Sequence, residues 1–74
     1  MILGKNNFIT FPVEKSEAEA GGTTSLYFIK RPGDNDWVIF EHTASNVSKN
    51  VSGYMNYDQQ KEIVEKILST FEFL

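Results

Sequence analysis

The sequence predicts an α+β fold: a three-stranded antiparallel β-meander with one C-terminal α-helix packed on one face, in the order β-β-β-α. Three observations predict it. Two runs rich in aromatic and β-branched residues, 24–31 (TSLYFIKR) and 37–43 (WVIFEHT), flank a Pro-Gly turn signal. Ile63, Val64, Ile67, Leu68 and Phe71 recur at the 3.6-residue spacing of a helix face. The chain has 74 residues, no cysteine and 41% apolar composition. That is one small globular domain over residues 1–74, neither disulfide-stapled nor disordered.

Residues 7–13 (NFITFPV) read as the first strand. Ile9, Phe11 and Val13 share one face, and Phe8 lies on the other. Pro12 lacks a backbone donor, which places this strand at a sheet edge. Residues 1–3 extend it or form a short strand of their own. Residues 14–23 are polar and acidic and read as a mobile loop. Ser16 with Glu19 resembles a capping box there, and Gly21 can stop a single helical turn.

The strands over 24–31 and 37–43 form a hairpin. Pro32 and Gly33 supply the fixed φ and the positive φ of a type II turn. Setting Arg31 opposite Trp37 closes a five-residue loop. Ile29 then faces Ile39, and Phe28 faces Phe40. Residues 44–56 are a Ser/Asn-rich connection in which Val47 and Val51 can dock a short turn. The helix follows from Asp58 to about Phe71, capped by Asn56 with Gln59 or by Asp58 itself. Glu62 and Lys66 are placed for an i,i+4 pair on its outer side. The tail of Glu72, Phe73 and Leu74 ends in two apolar residues and is expected to dock.

Strand alternation in that register gives two faces. One holds Leu26, Phe28, Lys30, Val38, Phe40 and His42, and is assigned to the helix. The other holds Tyr27, Ile29, Arg31, Trp37, Ile39 and Glu41. Both are apolar at their centres, yet a single helix covers only one. The uncovered set marks an interaction site, since Trp, Tyr and Arg are enriched at interface hot spots. Arg31 beside Trp37 sets up a cation–π contact. The alternative is that the N-terminal residues and the 47–55 loop fold over this face within the monomer.

The charge, −3 from ten acidic and seven basic residues, argues against phosphate-neutralising nucleic-acid binding. No apolar run reaches membrane-spanning length, and MILGKNNF is no signal peptide. A soluble, cytoplasmic protein is expected. Asn46-Val47-Ser48 and Asn50-Val51-Ser52 are then simply polar loop.

Chemistry-bearing patterns are sparse. His42, the one histidine, has no nucleophile and acid suitably placed for catalysis, so no catalytic residue is assigned. Asp34, Asn35 and Asp36 look like the start of a calcium loop but lack its later ligands, so they read as turn residues and no metal is expected. Gly21, Gly22, Thr23 and Thr24 lack a phosphate-loop lysine. Glu14, Glu17 and Glu19 offer an acidic loop to a basic partner.

The function expected is binding without catalysis or cofactor: a homodimeric regulator or inhibitor acting on a protein partner. Two alternatives use the same aromatic face. One is a small-molecule or nucleotide pocket built from Trp37, Tyr27 and the 44–56 loop, at the sheet face or a dimer seam. The other is a single-stranded nucleic-acid platform of Tyr27, Arg31 and Trp37.

Overall fold

The structure, a computed structural model, describes residues 1–18, 20–46 and 52–73. It is α+β with antiparallel strands and one C-terminal helix, but with six strands in two sheets rather than three in one. A two-stranded hairpin joins β1 (Ile2–Leu3) to β2 (Asn6–Asn7). The larger sheet centres on β5 (Gly22–Lys30). One edge of β5 pairs with β6 (Trp37–Ser45), and β3 (Ile9–Thr10) and β4 (Glu14–Lys15) also pair with β5.

The strand expected over 7–13 is cut short to Asn7 in β2 and Ile9–Thr10 in β3, and the sheet edge resumes at β4, inside the segment 14–23 expected as a loop. Ile9 pairs with Phe28 and Thr10 with Tyr27, whereas Glu14 pairs with Thr24 and Lys15 with Thr23. One extra residue lies between the two pieces, around Pro12. A proline cannot donate to the ladder, so the edge bulges there. The acidic segment is also tied down more than a mobile loop. The Asn46 side-chain amide donates to the carbonyls of Ser16 and Ala18, at 2.7 and 2.8 Å. The Ser16–Glu19 capping box, the docking of Val47 and Val51, and the placement of Leu74 all fall outside the described residues.

The hairpin register differs from expectation by one residue. Lys30, not Arg31, is opposite Trp37, and Phe28 is opposite Ile39. The loop explains this. Asp34 Oδ1 accepts a hydrogen bond from the Asp36 amide at 2.8 Å, an Asx turn, while Gly33 takes φ +88°. Arg31 N–H then donates to the Asp36 carbonyl, and the loop closes over four residues instead of five. A one-residue slip moves every side chain of one strand to the other face. Tyr27 and Ile29 thus join Val38, Phe40 and His42 under the helix, while Leu26 and Phe28 face away.

Helix α1 (Tyr57–Ser69) starts at an Asn56 cap, with Asn56 and Gln59 exchanging the two 2.9 Å hydrogen bonds of a capping box. The i,i+4 ion pair on it is Lys61–Glu65, at 3.7 Å, in place of the expected Glu62–Lys66. Leu68 is buried and Val64 and Phe71 half-buried, but Ile63 and Ile67 are 47% and 63% exposed, so the apolar stripe is only partly used.

The core is Phe8, Tyr27, Ile29 and Leu68, with Leu3, Val38, Phe40, Val64, Phe71 and Phe73 around it. Edge-to-face ring contacts run from Tyr27 to Phe8, Phe40, Phe71 and Phe73 at centroid distances of 4.9–6.2 Å. Each adds about 0.5–1.5 kcal/mol beyond simple burial. Phe73 thus docks as expected of the tail. The β1–β2 hairpin seals the far end of the helix. The Asn6 side-chain amide donates to the carbonyls of Leu68 and Phe71 at 3.1 and 2.7 Å. The Leu68 carbonyl, in the last helical turn, also accepts from the Phe71 amide at 3.2 Å, and the Phe71 carbonyl lies just past the helix end.

Candidate functional site

The side of the sheet opposite the helix is an apolar surface. Ile9, Phe11, Val13, Trp37 and Ile39 are each 47–58% exposed, and half-buried Leu26 and Phe28 lie between them. Phe11 packs edge-on against Phe28 with centroids 5.3 Å apart. Phe11, Pro12, Val13, Leu26 and Phe28, with Glu14 and Thr24, line a groove of about 510 Å3. The bulge at Pro12 shapes it by holding Phe11 and Val13 over the edge of β5. Thr24 and Thr43, hydroxyl oxygens 2.9 Å apart, close one end of the face beside Glu41. Lys30 stands at the other end, next to Trp37.

The structure divides the six residues expected to form an interface. Trp37, Ile39 and Glu41 are on the open face and exposed. Tyr27 and Ile29 are core residues, 2% and 7% exposed. Arg31 sits at the hairpin end, 3.9 Å from Asp34 and 5.9 Å from the Phe73 ring centroid, so its cation–π partner is Phe73 rather than Trp37. Tyr27 and Trp37, which the expected pocket and nucleic-acid platform both use, lie on opposite faces of the sheet. The first seven residues do not cover the open face, and the 47–55 loop expected to join them there falls partly outside the described residues. The β1–β2 hairpin binds the helix end, on the other side of the sheet.

Ile9, Phe11, Val13, Leu26 and Phe28 were missed as members of the face. The signal was present: Phe8 breaks the alternation of Ile9, Phe11 and Val13, so only one of those two sets can be core.

Beneath the helix, His42 Nε2 lies 2.9 Å from Gln60 Oε1, and the imidazole stacks on Tyr57 with centroids 5.1 Å apart. The Gln60 amide nitrogen donates to the Met55 carbonyl, which orients its oxygen toward His42, so Nε2 carries the donated proton. Ser25 is the cross-strand partner of His42, yet its hydroxyl makes no hydrogen bond to the imidazole. This is a packed polar cluster rather than a base poised over a nucleophile. Burial pushes the nearby Tyr27 phenol above tyrosine's ordinary 10.0; the Ser25 hydroxyl, close but outside hydrogen-bonding geometry, pulls the other way, and the charge of Glu65 adds to the rise. Among the described residues no three His, Asp or Glu side chains gather as a metal site, and no helix is long and apolar enough to cross a membrane.

These features define a small two-layer α+β domain with one open apolar sheet face. In comparisons with known proteins, no family, no curated protein and no solved structure matches the chain.

Proposed function

We propose that the chain is a non-catalytic protein-binding module, a small regulator or inhibitor, and that the open face of the sheet is a surface through which it associates. One observation carries the reading: five large apolar side chains stand about half exposed together, on the side of the sheet that the helix leaves bare. Single exposed apolar residues are ordinary on a soluble protein, but a contiguous set marks a surface that associates. Trp37 and Phe11 are of the types that anchor interfaces. The groove beside Phe11 gives such a partner a pocket for one apolar side chain.

The test separates an interface from hidden core. Ile39→Asp is expected to leave the stability of the dilute monomer within about 1 kcal/mol of the parent, because the site is more than half exposed there and loses only strand preference and its contact with Phe28. Its far-UV circular dichroism should be unchanged. A loss of about 2 kcal/mol or more in denaturant titration would show that the monomer already covers this face, and the reading would be abandoned.

A further inference from the structure

We propose that the occupant of the open face is a second copy of this chain, packed sheet to sheet about a two-fold axis that crosses the strands at the Phe28–Ile39 pair. The inference rests on the reading above that the face is an interface. Two further observations bear on it, the first on the size of the contact and the second on its occupant.

The first is area. A compact chain of this mass exposes about 4,600 Å2. This one exposes 5576 Å2. The excess, about 1,000 Å2, is spread over the elongated molecule as a whole, and it is of the order of the roughly 800 Å2 that each partner contributes to an interface of standard size.

The second is charge. Lys30 is paired with Trp37, two residues to one side of Phe28 and Ile39. Glu41 is paired with Leu26, two residues to the other side. At about 3.4 Å per residue each charge stands about 7 Å from the centre. Among the described residues neither Lys30 nor Glu41 has an ionic partner within 4 Å, which is true of Lys5 and Lys66 as well; Glu41 accepts a hydrogen bond from the Thr43 hydroxyl at 3.4 Å. A two-fold axis across the strands exchanges the two ends of the face. It lays β5 over the partner's β5 and β6 over the partner's β6. Lys30 then comes beside the partner's Glu41, and the symmetry makes the pair twice. The face is self-complementary: apolar at the axis, with opposite charges at its ends. Those two pairs offset the repulsion between chains that each carry −3.

The experiment is sedimentation equilibrium across about a hundredfold range of concentration, with circular dichroism to confirm that each variant is folded. The parent is expected to reach twice 8.4 kDa. Lys30→Glu and Glu41→Lys are each expected to weaken the dimer about tenfold, and the double reversal to recover it to within about threefold. A monomer at every concentration overturns the second copy and leaves the face to a different protein. A dimer broken by Ile39→Asp but indifferent to both charge reversals overturns the two-fold arrangement while the interface stands. A dimer broken by Ile67→Asp on the helix and not by Ile39→Asp overturns the inference and the interface together.

Discussion

Asn6, Gly4 and Tyr27 each carry a measurable consequence. Asn6 is exchangeable in size but not in chemistry. Its amide donates to two carbonyls near the helix end, so Asn6→Ala removes two hydrogen bonds and is expected to lower stability by about 1–3 kcal/mol in denaturant titration. Gly4 is held by two constraints at once. It takes φ +63° in the β1–β2 turn, and a Cβ there collides with the Ser69 carbonyl oxygen. Gly4→Ala should therefore cost more than the ordinary turn-glycine penalty, about 2 kcal/mol or more, and lower the melting temperature accordingly. Tyr27 contributes a dependence on alkali. Its folded-state pKa is raised, so the protonated phenol is favoured in the native state. That stability is fully present below the unfolded value near 10 and is lost as pH rises through the folded value. Tyr27→Phe should lose less stability than the parent between about pH 9 and 11, measured by urea titration at each pH.

At the scale of elements, the buried and exposed sides of the helix should respond differently to truncation. Leu68→Ala, under the sheet in a closed core, is expected to cost about 2–5 kcal/mol, while Ile67→Ala one residue away should stay within about 0.5 kcal/mol. The helix was legible because its spacing, its Asn56–Gln59 cap and its apolar side are all local signals. The hairpin was legible for the same reason. Its register was not, because it turned on one side-chain hydrogen bond, from the Asp36 amide to Asp34 Oδ1. That single bond decided which side of β5 faces the helix. The surplus of apolar surface survived the slip, since both sides of β5 are apolar, but its membership changed from Tyr27 and Ile29 to Leu26 and Phe28. The edge pieces β3 and β4 escaped a purely local reading as well. Their division depends on how Pro12 sits against a strand more than ten residues further along. The role of Asn6 had no local signal at all.

For the whole molecule, elongation is the governing property. Its principal extents are 45 × 21 × 18 Å, and its radius of gyration is 14.1 Å where a compact chain of this length has about 11 Å. Two layers make the short dimension, and a third layer of protein against the open face would bring the particle nearer to globular proportions. The grip of Asn6 on the helix end has a kinetic meaning. Its acceptors lie 62 and 65 residues further along the chain, so the contact closes nearly the largest loop the chain allows. Closing so long a loop is costly before the rest of the fold supports it, and the bond belongs to the last stage of folding. Removing it should leave the refolding rate almost untouched and accelerate unfolding, which stopped-flow traces of Asn6→Ala would display as a shift in one limb of the chevron. The amide of Asn6 is thus a latch: it does little to make the fold and much to set how long the fold lasts.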